Sequence, residues 1–204
     1  MTTIFTIGHS NHTPETFVAL LRLHSISAIA DVRSVPYSRF APQFNKDAIA
    51  SLLARNRVVY VFLGNYLGAR PNDPECYRNG AIDFPRLCQT AYFQEGLARV
   101  RKGASQFNLA LMCTEKDPVQ CHRTILVCRH LRAEDTIIKH ILEDGEIEDN
   151  RDSERRLMDA LHIATVDLFK TPDDLVEEAY DRQGERIAYH EDEETKQARD
   201  LAHA

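Results

Sequence analysis

The sequence LALMCTEKDPVQCHR, residues 109–123, decides the fold. Its first four residues, 109–112, are apolar without alternation, which is typical of a strand covered on both faces of a sheet. Residues 117–120, Asp-Pro-Val-Gln, then resemble a helix start, because an aspartate caps free N–H groups, a proline fits the first helical position and a glutamine completes the capping box. The stretch predicts a strand, a polar loop and a helix at 118–132 whose free N–H groups suit an anion or a thiolate.

Strands and helices alternate over the first 143 residues. Four further apolar runs predict strands, at residues 4–7, 26–32, 58–63 and 136–138. Strands that are buried on both faces and separated by helices form a parallel sheet, so we predict a three-layer α/β domain of about five strands, Rossmann-like or flavodoxin-like. Of the strand orders 3-2-1-4-5 and 2-1-3-4-5 we favour the first, because it places strand one beside strand four.

The composition is that of an ordinary soluble protein. The chain has 204 residues, of which 43% are hydrophobic, and no apolar run approaches the roughly 18 residues of a membrane span. The N-terminus lacks the basic segment of a signal peptide. Five scattered cysteines, an odd number, suit a reducing compartment better than secretion. We therefore expect a cytoplasmic protein without a membrane partner.

Charge is divided unevenly along the chain. Residues 1–143 carry 17 Lys and Arg against 12 Asp and Glu, whereas residues 144–204 carry 8 against 19. This asymmetry predicts an α/β domain at 1–143 and an acidic helical extension at 144–204, disordered from about residue 190. We expect the helices of the extension to dock on the basic domain or to form a homo-oligomer.

Polar residues follow three of the predicted strands, at the sheet edge where ligands of parallel sheets bind. Cys113 is the candidate nucleophile, because a helix start and a nearby arginine lower a thiol pKa. Glu115 and His122 are candidates for proton transfer, and His9 joins them or caps its loop. Asp31, which ends an apolar strand, needs a partner. These five residues are the predicted catalytic set.

Three arginines are expected to bind the charge of a substrate, namely Arg33, Arg39 and Arg123. An ion pair of Asp31 with Arg33 or with Arg123 is the structural alternative. Two long connections, residues 33–46 and 64–83, interleave arginine with aromatic residues. Such loops suit stacking on a base while pairing its phosphate, so nucleic acid is a second candidate partner.

Cys121 has three interpretations. Its helical spacing with Ile125 and Cys128 predicts a packed thiol. A zinc site of Cys113, Cys121 and His122 is disfavoured, because neighbouring helical residues point about 100° apart and no fourth ligand is evident. A reversible disulfide between Cys113 and Cys121 is the third interpretation. On this basis no cofactor is predicted, and zinc stays an alternative.

Several ordered motifs resemble the domain-of-unknown-function 488 family (DUF488). They extend over about residues 1–143 and comprise Thr6-Ile7-Gly8-His9-Ser10, Asp31-Val32-Arg33, Pro36, Ser38-Arg39, Pro42-Gln43-Phe44, Leu67-Gly68, Cys113-x-Glu115 and Cys121-His122-Arg123. The resemblance implies an α/β fold with a clustered polar site and brings no settled reaction. Its motif positions add Ser10, Ser38 and Gly68 to the residues expected to bind substrate.

Three functions fit these residues. The first is an enzyme, of the transferase or hydrolase type, that acts on a small nucleotide-like or phosphorylated anion through the Cys/Glu/His/Arg site. The second is a nucleic-acid-binding or nucleic-acid-processing module. The third is a thiol redox or metal-binding sensor built on Cys113 and Cys121. The sequence contains neither a Walker A loop nor a G-x-G-x-x-G motif, so the common nucleotide-binding loops are excluded.

Overall fold

The computed structural model describes residues 1–191. The disorder predicted from about residue 190 therefore concerns residues 192–204, which lie outside the described part. Within residues 1–191, no helix combines the length and the apolarity that crossing a bilayer demands.

A six-stranded sheet forms the centre of the molecule. Five of its strands are parallel and the sixth, at one edge, is antiparallel. In chain order the strands are β1 Thr2–Gly8, β2 Ala28–Asp31, β3 Val59–Phe62, β4 Tyr77–Arg78, β5 Ala81–Ile82, β6 Leu109–Cys113, β7 Thr136–Ile141 and β8 Ile147–Asp149, of which β4 and β5 form a separate hairpin. The predicted α/β class with about five parallel strands is confirmed.

The order of strands in the sheet is β3-β2-β6-β1-β7-β8. The predicted order 3-2-1-4-5 is wrong. The fourth predicted strand is β6, and it lies between β2 and β1. All five residues of β6 are buried, and the middle of the sheet is where such a strand removes most apolar surface from water. β3 forms an edge, with Val59 and Val61 exposed, so the expected cover on both of its faces is also wrong.

Helices cover both faces of the sheet, which gives the predicted three layers. One face packs against α1 Pro14–Leu23 and α2 Lys46–Arg55. The other face packs against six helices: α3 Gly64–Leu67, α4 Phe84–Gln89, α5 Ala91–Ala104, α6 (residues 123–131), α7 Asn150–Ala160 and α8 Pro172–Ile187. The helix α6 consists of a π-helical segment, Arg123–Cys128, and an α-helical turn, Arg129–Leu131. Single 3-10 turns lie at Pro42–Phe44, Pro74–Cys76 and Pro118–Gln120.

The helix predicted at 118–132 begins later than expected. Asp117 caps only the turn Pro118–Gln120, by accepting the N–H of Val119 at 3.1 Å. Cys121 is then extended, with φ −131° and ψ 137°, and α6 starts after it. The side chain of Gln120 contacts Gln183 of α8 instead of closing a capping box. The long helix start on which the expected anion site was based is therefore wrong.

The acidic extension docks on the α/β domain, which is one of the two predicted arrangements. Arg129 of α6 and Arg132, which follows this helix, face α8: Arg129 contacts Glu177 at 2.6 Å and Arg132 contacts the same carboxylate at 2.7 Å. At the start of α8, Thr171 and Asp174 form a reciprocal capping box. Self-association through these helices stays a prediction.

Candidate functional site

The carboxyl ends of β1, β6 and β2 bring the predicted catalytic residues to one place. The N–H of His9 donates to the carbonyl oxygen of Cys113 at 2.9 Å, and that of Val32 donates to Met112 at 3.1 Å. Because β6 lies between the other two strands, the residues that follow each strand share one edge of the sheet. His9, Asp31 and Cys113 are all buried there.

Four side chains converge at the end of β6. The carboxylate oxygen Oε2 of Glu115 lies 3.1 Å from Cys113 Sγ and 2.9 Å from Cys121 Sγ. Nδ1 of His122 lies 3.7 Å from Cys113 Sγ. One potential ligand atom from each of the four residues lies within 4.8 Å of the other three. We call these four residues the CECH cluster.

The orientation of His122 is fixed by the neighbouring strand end. Its Nε2 lies 3.0 Å from the carbonyl oxygen of Val32. A carbonyl only accepts, so Nε2 carries the proton and donates it. In the neutral imidazole the lone pair of Nδ1 is then directed at Cys113. Metal-bound histidines are commonly oriented in this way, by a backbone carbonyl that accepts the other N–H group.

The chain reaches this geometry because residues 117–122 do not form a helix. The turn Pro118–Gln120 is followed by the extended Cys121, and His122 precedes α6 with φ −59° and ψ −25°. The argument that two neighbouring helical residues diverge does not hold here. The fourth ligand, which the sequence did not reveal, is Glu115, two residues after Cys113. The expected alignment of Cys121 on a helical face is wrong, although its thiol is buried.

Proton affinities in the cluster are shifted in opposite directions. Burial and the adjacent Cys121 sulfur raise the pKa of Glu115, and burial raises the pKa of Cys113 well above its ordinary value. Burial also opposes the Cys121 thiolate, but the Cys113 hydrogen bond and the Arg123 charge outweigh it and lower the pKa of Cys121. These shifts favour the protonated carboxyl of Glu115 and the thiolate of Cys121 relative to the ordinary behaviour of each group.

The same cluster changes the imidazole. Burial disfavours a charged His122, yet the hydrogen bond and the negative charge of Cys121 outweigh burial and raise the pKa of His122. A metal ion at these four residues would have to compete with protons for their ligand atoms. The titratable groups of the CECH cluster thus lie within a volume that one metal ion would occupy.

The side chain of Arg123 lies behind the CECH cluster and contacts the backbone that carries it. Its side chain is fully buried. The guanidinium donates to the carbonyl oxygens of Glu115 and, at 3.2 Å, of Lys116, and its Nε donates to Thr6 at 3.3 Å. The backbone N–H of Arg123 lies 3.4 Å from Cys121 Sγ. All three guanidinium nitrogens of Arg123 donate hydrogen bonds to protein oxygens, so we describe Arg123 as a positioning residue.

Asp31 and Arg33 form the ion pair that the sequence offered as a structural alternative. Arg33 NH2 lies 2.6 Å from Asp31 Oδ2, and both side chains are at most 5% exposed. Tyr60 donates a hydrogen bond to the same carboxylate at 2.8 Å. Arg33 also reaches His9 Nε2 at 3.1 Å, and burial followed by the Arg33 charge lowers the pKa of His9 to about 4. His9 is therefore neutral and stacks on Phe44.

The other predicted binding residues lie outside the CECH cluster. Arg39 is exposed and its guanidinium lies over the ring of Phe40 at 4.8 Å. Ser38 Oγ accepts the N–H of Phe40, and the N–H of Ser10 donates to Thr114. A Cβ atom at Gly68 would lie 2.5 Å from Ser34 Oγ, so this glycine allows close packing.

Gly8 allows the loop that follows β6, residues 114–117, to approach β1. We call this segment, which carries Glu115, the ligand loop. A Cβ atom at Gly8 would overlap the carbonyl oxygen of Glu115 and lie 2.7 Å from its carbonyl carbon. Real side chains do not tolerate such distances. The backbone of Glu115 thus packs against Gly8 on one side and accepts a hydrogen bond from Arg123 on the other.

A buried polar chain behind the site was not predicted. The hydroxyl of Thr6 lies 2.8 Å from Nδ1 of His140, whose Nε2 lies 3.0 Å from Asn150 Oδ1. Asn150 in turn donates to Glu154 at 2.7 Å. Because Arg123 donates to Thr6, this series of hydrogen bonds connects Arg123 to α7. A histidine inside an apolar strand was the one available signal, because a buried imidazole requires partners.

Comparison with known proteins gives one match. The model of the family described as "Domain of unknown function DUF488" matches residues 13–129, more than half of the chain. No curated protein and no solved structure matches significantly. All four residues of the CECH cluster lie inside the matched region.

Proposed function

The chain belongs to the DUF488 family, and we propose that it is a zinc-dependent enzyme that acts on a small anionic substrate. Cys113, Glu115, Cys121 and His122 would hold the ion. The observation that carries this proposal is the mutual approach of their four ligand atoms to within 4.8 Å. Two sulfurs, one imidazole nitrogen and one carboxylate oxygen form a donor set that suits zinc.

The distances support a tetrahedral ion. Zinc–sulfur bonds of about 2.3 Å and zinc–nitrogen bonds of about 2.0 Å separate two tetrahedral ligands by about 3.5 Å. Cys113 Sγ and His122 Nδ1 are 3.7 Å apart, so this edge of the tetrahedron already has its length. The Glu115 oxygen lies closer to both sulfurs, at 3.1 and 2.9 Å, and would move outward by about half an ångström.

The electrostatics also favour a cation. Two thiols and a carboxylate share a mostly buried place, where anions without a partner are costly. In the metal-free protein, burial raises the pKa values of Glu115 and Cys113, which favours the protonated form of each group. A divalent ion would replace those protons, so that binding releases them to solvent.

The position of the ion favours catalysis over a purely structural role. The CECH cluster lies beyond the carboxyl ends of parallel strands, where ligands of such sheets bind. A zinc ion polarises the oxygen of a bound substrate as a Lewis acid, which suits hydrolysis or group transfer. Because Arg33 and Arg123 are engaged by the protein, an anionic substrate would be held by a bond to the ion and not by an arginine.

Metal analysis tests the proposal. Purified protein that is reconstituted with zinc and dialysed is expected to retain one ion per chain. Cys121→Ser and His122→Ala are each expected to weaken zinc binding by more than about a hundredfold, since even the loss of a supporting residue costs about 10–100-fold. Zinc-loaded protein is expected to hydrolyse members of a phosphate-ester panel, and the Cys121→Ser variant none of them.

Cys88→Ser is the matched control. This thiol is half-buried in α4 and donates to the carbonyl oxygen of Pro85 at 3.1 Å, outside the CECH cluster. Its loss is expected to leave zinc binding unchanged. Wild-type protein that binds no zinc in competition with a weak chelator, while it remains folded, would contradict the proposal.

A thiol redox sensor is the second candidate. Its support is the approach of the Cys113 and Cys121 sulfurs to within 4.8 Å together with the lowered pKa of Cys121. Two thiols and one hydrogen peroxide would give a disulfide and two waters. In metal-free protein, loss of two titratable thiols that dithiothreitol restores would support this function, and an unchanged thiol count would count against it.

A nucleic-acid module has less support. It depended on the arginines of the rim and on the aromatic loops. Tyr37 and Phe40 are exposed beside Arg39, but Arg33 and Arg123 are buried. The rim thus offers a phosphate backbone fewer cations than the sequence alone implies.

A further inference from the structure

We propose that Glu115 is an exchangeable ligand, which leaves the ion when an anionic substrate arrives. The inference rests on the proposed zinc site and names its regulation. In this account Cys113, Cys121 and His122 hold the ion permanently, and the carboxylate of Glu115 closes the fourth position until an incoming anion replaces it.

Exposure separates Glu115 from the other three residues. Cys113 and Cys121 are 3% and 1% exposed, and His122 is half-buried, whereas Glu115 is exposed. Glu115 is thus the member of the cluster that reaches solvent, although its Oε2 atom lies against both buried sulfurs. A ligand on the solvent side can leave without disturbing the core, and its place is open to a molecule that arrives from solution.

The backbone of Glu115 cannot take part in such a movement. Arg123 binds its carbonyl oxygen, and the absence of a side chain at Gly8 allows the same carbonyl to lie against β1. The mobile part is therefore restricted to the side-chain torsions, which change on the picosecond to nanosecond timescale at exposed positions. A fixed backbone also returns the carboxylate to the same place after product release.

The distances point in the same direction. Both sulfur–oxygen separations are shorter than the roughly 3.5 Å that a tetrahedral zinc ion imposes, at 3.1 and 2.9 Å. The sulfur–nitrogen separation of 3.7 Å needs almost no adjustment. The carboxylate is thus a ligand that has to move when the ion enters, whereas Cys113 and His122 already have the spacing that the ion requires.

Charge explains why an anion benefits from the exchange. Two thiolates and one carboxylate around a divalent ion leave one net negative charge, which repels an anionic substrate. When the carboxylate leaves, the zinc–oxygen bond to Glu115 breaks, an oxygen of the incoming anion donates its electron pair, and the ion remains four-coordinate. Open zinc sites of enzymes have three protein ligands and one such exchangeable position.

Cobalt-substituted full-length protein with azide as the probe tests this inference. Cobalt(II) adopts the same tetrahedral geometry as zinc, and its visible spectrum reports a change of ligand. Glu115→Ala is expected to retain one metal ion per chain and to bind azide at least about tenfold more tightly than the wild type, because the net charge is removed. Glu115→Gln, which keeps the shape, is expected to lie between the two.

Glu143→Ala is the matched control. Glu143 is an exposed carboxylate that pairs with Lys116 at 3.0 Å, next to the ligand loop but outside the CECH cluster. Its variant is expected to bind metal and azide as the wild type does. Circular dichroism of all variants identifies any loss of folding, and Glu115→Gln then provides the comparison.

Two outcomes would overturn the inference and leave the zinc site intact. The first is that both Glu115 variants lose the metal as completely as Cys121→Ser, which makes the carboxylate an obligatory ligand. The second is an azide affinity that does not differ between wild type and Glu115→Ala. Wild-type protein that binds neither cobalt nor zinc would instead refute the proposed function, and the inference with it.

Discussion

At the scale of single residues, Gly8 and Arg123 determine how closely the ligand loop packs against β1. Gly8 admits the carbonyl group of Glu115, and Arg123 binds that carbonyl from the buried side. Neither residue offers an atom to the ion. Both determine where the oxygen and sulfur atoms of the CECH cluster lie, so their substitution acts on metal binding through the backbone.

Gly8→Ala tests this role. The new Cβ atom would lie 2.7 Å from the carbonyl carbon of Glu115, so the ligand loop must shift. We expect the free energy of unfolding to fall by about 2 kcal/mol, as in other overpacked sites, and zinc binding to weaken by at least about tenfold. Chemical denaturation and zinc titration measure the two effects.

Gly103→Ala is the control for Gly8→Ala. Gly103 lies in α5, and its Cβ atom would meet the nearest atom at 3.4 Å, an ordinary contact. This alanine is expected to stabilise the protein by up to about 1 kcal/mol through helix propensity and to leave zinc binding unchanged. A Gly8 variant that behaves in the same way would refute the close packing of the loop on β1.

At the scale of elements, α8 supports the turn that precedes two of the ligands. The amide of Gln183 donates to the carbonyl oxygen of Val119 at 2.9 Å and to the side chain of Gln120 at 3.2 Å. Gln183 is buried, so these bonds are shielded from water. Cys121 follows the turn directly. The acidic extension thus takes part in positioning the site, although it lies outside the matched family region.

Gln183→Ala is expected to weaken zinc binding by about tenfold, in the range found for residues that orient metal ligands. Isothermal titration well below the unfolding temperature separates this effect from a loss of stability. Arg182→Ala, one residue earlier on α8, removes only an exposed pair with Glu178 and serves as the control. Equal zinc affinities of the two variants would show that α8 does not position the turn.

The sequence predicted elements better than it predicted their arrangement. Apolar runs identified the five parallel strands. The place of β6 between β2 and β1 depends on the packing of whole helices, which no local pattern encodes. The turn Pro118–Gln120 satisfies the same proline and aspartate preferences as a helix start, so the local signal could not show that α6 begins later.

At the scale of the whole molecule, a buried polar chain joins the site to the extension. It extends from Arg123 through Thr6, His140 and Asn150 to Glu154. His140 is completely buried, and burial followed by the Arg123 charge lowers its pKa from 6.5 to about 4. The folded protein therefore holds this imidazole neutral where the unfolded chain would protonate it.

The pH dependence of stability follows from this difference. Between pH 6.5 and about 4 the unfolded chain binds more protons at His140 than the folded protein does, so stability falls as the pH falls. From pH 7.5 to pH 4 the loss attributable to His140 is about 3 kcal/mol. His140→Gln is expected to lack this part of the pH dependence.

Urea denaturation of metal-free wild type and His140→Gln at a series of pH values measures the effect. His9, whose pKa is also lowered to about 4, is present in both proteins and cancels in the difference. Parallel pH profiles of the two proteins would contradict a neutral, buried His140.

The most direct test of the zinc site is X-ray absorption spectroscopy of the zinc-loaded protein at the zinc edge. The account predicts two sulfur neighbours at about 2.3 Å and two nitrogen or oxygen neighbours at about 2.0 Å. A zinc ion surrounded only by nitrogen and oxygen in the wild-type protein would contradict it.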